Sequence, residues 1–256
     1  MILAILQARF SSSRLPGKVL EDILGEPMIF RQIERVLRSS RVEGLIVATS
    51  SDVSDDPIAE MCRSKGIECF RGDLDDVLDR FYHAALQCDP DHIVRITGDC
   101  PLLDPEVMDG VIEKHIEGNY DYTSNTAPPS FPDGLDVEVF RFSALADAWK
   151  EARLHSEREH VTPFIRNNPG RYRMGNLLNG EDLSSLRWTV DERRDLDFVR
   201  RVYEYLFPED PAFGMDDVLR LLEQKPELME INCGIARNEG YYKSLREDAD
   251  LAAKEG

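Results

Sequence analysis

Hydrophobic and polar positions along the chain switch between two periods. Leu3-Ala4-Ile5-Leu6 is an unbroken apolar run, the pattern of a strand buried on both faces of a parallel sheet. Between Pro27 and Ser40, residues Met28, Ile29, Ile33, Val36 and Leu37 share one helical face. Residues 44–50 read as a second strand, and Ser54-Asp55-Asp56-Pro57 supplies cap and first-turn chemistry for a helix carrying Ile58 and Met61. A short strand at 67–70 precedes a helical stripe of Val77, Leu78, Phe81, Ala84 and Ala85. Residues 92–97 form a strong central strand that ends at Gly98-Asp99-Cys100-Pro101, and Pro105 opens a helix bearing Val107, Val111, Ile112 and Ile116. This β–α alternation predicts an α/β fold with a doubly wound, mainly parallel sheet.

The middle of the chain breaks the rhythm. Residues 120–132 are loop-like and hold Pro128, Pro129 and Pro132, while 135–140 alternate like a strand with one polar face. Helices are expected at 143–152 and 155–166, strands at 171–176 and 186–190, and helices at 192–206 and 213–222. No internal repeat or low-complexity linker divides the chain, so 1–256 is read as one domain. Within it, about 120–180 is a small α+β excursion forming the acceptor side of a site and a possible dimer contact, and 225–256 is an acidic carboxyl-terminal extension with fraying expected over its last ten or so residues.

Composition narrows the classes. With 256 residues, 42% of them hydrophobic, the chain can bury a substantial core. Its net charge of −18 argues against a general nucleic-acid binder. It leaves room for a nucleotide held by a local basic loop, and an acidic protein acting on anionic substrates favours a divalent cation. Five cysteines with no C-x-x-C pair, and a first strand that begins at the amino terminus, lead to the expectation of reduced thiols, no secretory peptide and a cytoplasmic location. No apolar run reaches the roughly 18 residues of a membrane span, so no membrane insertion is expected.

Candidate chemistry sits where strands end. After the first strand, Gln7-Ala8-Arg9 leads into Ser11-Ser12-Ser13-Arg14-Leu15-Pro16-Gly17-Lys18. Serine hydroxyls, loop N–H groups and three cations suit phosphate oxygens, whereas the bland alternative is a solvated turn. It is neither a P-loop nor a G-x-G-x-x-G fingerprint. Asp99 ends the central strand, as a magnesium ligand or as a turn residue capping the next helix. Asp191, in Trp188-Thr189-Val190-Asp191, has the same two readings, which are compatible. In residues 71–80, Arg80 lies one turn beyond Asp76, the spacing of a weak surface ion pair. Asp136 and Glu138 are two apart on a strand and share a face, suited to a hydroxylated or amino-bearing acceptor. His160 reads as a structural histidine, or as a donor or base near neutral pH.

Gln7-Ala8-Arg9, Ser13-Arg14-Leu15-Pro16-Gly17-Lys18 and Thr189-Val190-Asp191 followed by Asp195-Leu196 resemble the cytidylyltransferases that activate acidic sugars. Asp133–Glu138 and Arg158-Glu159-His160-Val161 resemble the spore-coat polysaccharide branch of that superfamily more closely. The resemblance extends to the closing 232–235 and 238–241 segments, and Ser11-Ser12-Ser13 stands where members often have Gly-Ser-Thr. It implies a sheet of the nucleotide-diphospho-sugar transferase type and a loop wrapped around the triphosphate of CTP. Gln7, Ala8, Arg9, Ser12, Ser13, Arg14, Lys18, Ser50, Arg71, Gly72 and Asp76 would contact the nucleotide. Lys18, Arg14 and Asp99 would be catalytic, Asp99 and Asp191 would bind Mg²⁺, and Asp136, Glu138 and His160 would receive the acceptor. The implied reaction is Mg²⁺-dependent transfer from CTP to an acidic small molecule with release of pyrophosphate, for surface polysaccharide or glycoconjugate synthesis, by a homodimer. Two rival readings are a glycosyltransferase using a nucleotide-sugar donor and a non-catalytic nucleotide-binding protein. The first usually has an Asp-x-Asp pair where this chain has one acid, Asp99.

Overall fold

A computed structural model describes residues 1–12, 14–235, 237 and 239–255, of which 239 and 251–255 are described by backbone alone. The chain opens with β1 (Ile2–Gln7), passes through a small hairpin of β2 (Asp22–Ile23) and β3 (Glu26–Pro27), and enters α1 (Met28–Val36). There follow β4 (Gly44–Ser50), α2 (Asp56–Lys65), β5 (Glu68–Gly72), α3 (Val77–Leu86), β6 (His92–Thr97) and α4 (Pro105–Glu117). The middle holds β7 (Tyr122–Ser124), β8 (Glu138–Arg141), α5 (Phe142–Glu151), α6 (His155–His160), α7 (Pro163–Arg166) and β9 (Met174–Asn176). Helices α8 (Arg193–Leu206), α9 (Met215–Gln224) and α10 (Glu239–Glu255) complete the chain, so the acidic tail is helical through residue 255.

Seven strands make one sheet in the order β5-β4-β1-β6-β8-β7-β9. β5, β4, β1 and β6 run parallel, β8 is antiparallel to both neighbours, and β9 pairs parallel with β7. The α+β excursion therefore continues the main sheet. β1 shows why its sequence is apolar throughout: Ala4 and Leu6 enter the core under α1, α4 and α8, while Leu3 and Ile5 enter the core under α3 and α5.

Two expectations about local structure change. Residues 155–166 are not one helix, because Val161 takes φ 70° and Pro163 restarts the chain as α7. Val161, at φ 70° and ψ −54°, centres a γ-turn closed by Thr162 N donating to His160 O at 2.8 Å, a strained geometry for a β-branched residue that its surroundings hold. Residues 186–190 form no strand. The N–H groups of Trp188 and Thr189 both donate to Asp133 O, at 2.6 and 2.8 Å, and Val190 N donates to Asp99 O at 2.8 Å, so they are spent on two loops and not on a ladder. The segment passes so close to Gly134 that a Cβ there would lie 2.6 Å from Thr189 N.

Candidate active site

The site lies at the carboxyl ends of β1 and β6, where successive strands were laid down on opposite sides of β1. Gln7 and Thr97 face each other in register, and Gly98 N donates to Gln7 O at 2.8 Å. A Cβ on Gly98 would sit 2.9 Å from that oxygen, so glycine allows the two chains to stay in contact as they leave the sheet. Above this point opens a cavity of about 750 Å³.

Lys18 organises its floor. Only 7% exposed, its ammonium donates to Asp99 Oδ2 at 3.2 Å, Asp191 Oδ1 at 3.0 Å and Val190 O at 2.7 Å. Burial pulls its pKa down, but Asp99 and Asp191 outweigh burial and hold it above the ordinary lysine value. Burial pushes Asp99 up, yet Lys18 and its hydrogen bonds keep it below the usual carboxylate value. Arg14 adds a 2.9 Å ion pair to Asp191 Oδ1. Two carboxylates from distant parts of the chain thus converge on one cation. A pair of converging carboxylates beside a cationic loop is a donor set suited to magnesium, which takes oxygen ligands and usually shares them with substrate phosphates. Asp99 and Asp191 are the residues that would hold it. No cluster of three or more metal-ligating side chains exists among the described residues, so further ligands would come from substrate and water.

Asp191 is fixed by a residue that the sequence reading passed over. Arg187, 92% buried by its side chain, reaches Asp195 through Nε and Nη2 at 2.9 and 3.0 Å, Asp191 Oδ2 at 3.0 Å and Asp133 Oδ2 at 3.2 Å. Burial and the neighbouring Asp136 push the Asp133 carboxyl up to about 7, against the pull of Arg237 and Arg187. The folded protein holds this proton more tightly than the unfolded chain does. Its stabilising contribution is therefore full below about pH 4 and lost as pH rises through about 7. Asp133→Asn is expected to flatten the fall in stability between pH 4 and 8 measured by urea unfolding. An unchanged pH slope would assign that titration to another group.

The far wall comes from the middle of the chain. Glu138 pairs with Arg95 and accepts from Tyr122 Oη and from Thr162 Oγ1 at 2.7 Å; Arg95 also donates to Gln7 Oε1 at 3.1 Å. Burial would raise Glu138, but Arg95 and Arg166 hold it down at about 2. Asp136 pairs with Arg237. His160 Nε2 lies 3.0 Å from Ser244 Oγ of α10, which donates to Glu159 Oε2 at 2.5 Å. Arg9 approaches Glu159 at 3.6 Å.

Gln7, Ala8, Arg9, Ser12, Arg14, Lys18, Asp99, Asp136, Glu138, His160 and Asp191 all line this one cavity. Ser13 lies outside the described residues. Ser50, Arg71, Gly72 and Asp76 are not part of the lining, and local bonding explains why. Ser50 is fully buried against Asp55, with its N–H donating to Oδ2 at 2.9 Å. Arg71 clips the carbonyls of Ser50 and Asp52, both at 2.8 Å, and faces Asp56. Gly72 O accepts from Ser51 N at 2.7 Å. Asp76 caps α3 through Asp79 N at 2.9 Å and pairs with Arg158. Arg80, expected in a surface ion pair, is instead 1% exposed; it lines the cavity and donates through Nη1 to the carbonyls of Asp73 and Leu74 at 2.8 and 3.2 Å. Its position in the apolar stripe of Val77, Leu78 and Phe81 was the available signal.

A doubly wound sheet whose switch point carries a cationic loop opposite two aspartates defines a nucleotide-dependent transferase class. The Cytidylyltransferase family profile matches residues 3–240, and the chain belongs to that family. It is 36% identical over 250 residues to an uncharacterised protein of Methanocaldococcus jannaschii, covering 96% of this chain and 98% of that one. It is 34% identical over 233 residues to a spore coat polysaccharide biosynthesis protein of Bacillus subtilis, covering 88% and 95%. Its fold is similar to the structure of a cytidylyltransferase from Leptospira borgpetersenii, with TM-score 0.86 and 28% identity over 92% of this chain and 99% of that one. No helix among the described residues is long and apolar enough to cross a membrane.

Proposed function

We propose that this enzyme transfers a cytidylyl group from CTP to an acidic sugar or similar small acid, with Mg²⁺ as cofactor, to supply surface polysaccharide or glycoconjugate synthesis. The observation that carries the reading is the grip of one buried ammonium, Lys18, on both Asp99 and Asp191 at the mouth of the parallel strands. An acceptor oxygen attacks the α-phosphorus, the bond from that phosphorus to the bridging oxygen breaks, and pyrophosphate departs with the electron pair. The acceptor proton is lost to solvent or to a carboxylate of the cavity. Such chemistry demands positioning and neutralisation of charge more than covalent participation by the protein. Arg14 and Lys18 meet the triphosphate and steady the leaving group, and Arg9 and Ser12 line its approach. When bound, magnesium supplies Lewis-acid polarisation of the phosphate. Five free thiols and an anionic substrate pool suit a cytoplasmic enzyme.

The test is a pyrophosphate-release screen of the four ribonucleoside triphosphates against a panel of acidic sugars. CTP is expected to be preferred, and EDTA is expected to abolish release, with Mg²⁺ restoring it. Release that persists undiminished in EDTA would remove the metal from the scheme. Turnover of a nucleotide sugar without pyrophosphate would replace the reaction itself.

A further inference from the structure

Only three buried side-chain polar atoms among the described residues have no hydrogen-bond partner, and two of them, Arg80 Nε and Arg166 Nε, belong to arginines lining the active-site cavity. Arg80 still spends Nη1 on two loop carbonyls. The side chain of Arg166, at the end of α7, makes no hydrogen bond and no salt bridge within 4 Å among the described residues. Glu138 attracts Arg166 through its charge but accepts its three side-chain hydrogen bonds from Arg95, Tyr122 and Thr162, none of them from Arg166. Tyr241, from the first turn of α10, covers the guanidinium, its ring centre 5.2 Å from Cζ. That ring also meets the edge of His160, and Ser244 one turn later ties α10 to Glu159 of α6. A guanidinium with a stacked face and unspent N–H donors in a cavity wall is built to take a planar oxyanion through its fork.

We propose that Arg166, backed by Tyr241, is the anchor for the carboxylate of the acceptor, and that α10 forms the wall of the acceptor pocket. This rests on the cytidylyl-transfer reading and deepens it. Arg166 comes from the excursion that also supplies Glu138 and Thr162, whereas the other cavity cations Arg14 and Lys18 come from the loop after β1, so one anion site serves the nucleotide and a second serves the acceptor. Neutral sugars of the same skeleton are excluded because they leave the guanidinium's buried Nε–H without a charged acceptor.

The experiment pairs acids with their uncharged esters. Pyrophosphate release is measured with CTP and a panel of 3-deoxy-manno-octulosonate, N-acetylneuraminate and glucuronate, each beside its methyl ester, for wild type, Arg166→Met and Arg166→Lys. CTP binding is followed separately by calorimetry. The expected result is turnover of an acid and not its ester, a rise of about 10–100-fold in acceptor KM for Arg166→Met, a smaller rise for Arg166→Lys, and CTP affinity within about twofold of wild type. Retained CTP affinity also shows that the variant is folded. An unchanged acceptor KM in Arg166→Met, or equal use of ester and acid, overturns the Arg166 assignment while leaving cytidylyl transfer standing. Failure of wild type to release pyrophosphate with any acid overturns both.

Discussion

Lys18→Met is expected to lower kcat for pyrophosphate release by about 10²–10³-fold, the usual effect of deleting one charge-stabilising donor aimed at the reacting centre. The reason lies in the site's geometry. Lys18 is, among the described residues, the one ammonium bonded to both Asp99 and Asp191, and it enters the cavity from the loop that follows β1. Deleting it removes a cation from the expected position of the departing phosphates and leaves two neighbouring carboxylates to repel each other. Their side chains are 26% and 19% exposed, so water screens part of that repulsion and the stability cost is about 1–3 kcal/mol, not a full buried-charge penalty. The two effects separate in a double variant. Lys18→Met/Asp191→Asn is expected to regain most of the lost Tm but none of the lost turnover. A single variant that turns over normally would remove the loop from catalysis. A double variant that regained activity would mean that Lys18 serves only to neutralise Asp191.

The parts legible from sequence were those whose chemistry and position agree locally. A buried strand that ends in a polar segment announces a site in an α/β sheet, and Lys18, Asp99 and Asp191 each stand just beyond such an end or a segment that looked like one. Their convergence across some 170 residues is visible only in the fold. That the sheet would be mainly parallel followed from the same periodicity, whereas its strand order is set by tertiary pairing. Residues 186–190 misled it because Leu186, Trp188 and Val190 alternate as a strand does, while their backbone donors go to the carbonyls of Asp133 and Asp99. The arginines were the weakest point. Arg80, Arg95 and Arg187 all sit among apolar neighbours, a placement that demands an acid or carbonyl partner. Sequence spacing gives no hint of which partner, since Arg95 reaches Glu138 and Arg187 reaches Asp133 through tertiary contact alone.

Arg187→Met is expected to cost about 3–5 kcal/mol of folding stability in urea titrations, more than any other substitution proposed for this site, because it strands carboxylates that cannot all reach water. Asp195 is fully buried, while Asp133 and Asp191 are 13% and 19% exposed by their side chains. Asp195 is also the peg for the Asp191 turn: its Oδ2 accepts from Asp191 N and Glu192 N, both at 2.9 Å, and its Oδ1 accepts from Asn232 Nδ2 at 3.1 Å. These donors keep some support for the charge when the guanidinium is gone, which sets the cost below that of a wholly orphaned ion. Arg187→Lys is expected to recover less than half, since one ammonium cannot reproduce a fork that spans three acids. Burial raises the Asp195 pKa, but Arg187 and the two backbone donors overcome it and hold the group below its ordinary value. A depressed carboxylate contributes stability that is present above its unfolded pKa and lost as pH falls through the folded one. The gap between wild type and Arg187→Met should therefore narrow as the solution is acidified below about pH 4. A gap that stayed constant to pH 2 would mean that Arg187 stabilises by packing its stem against Trp188 and its neighbours, and that the three acids are held by their backbone donors alone.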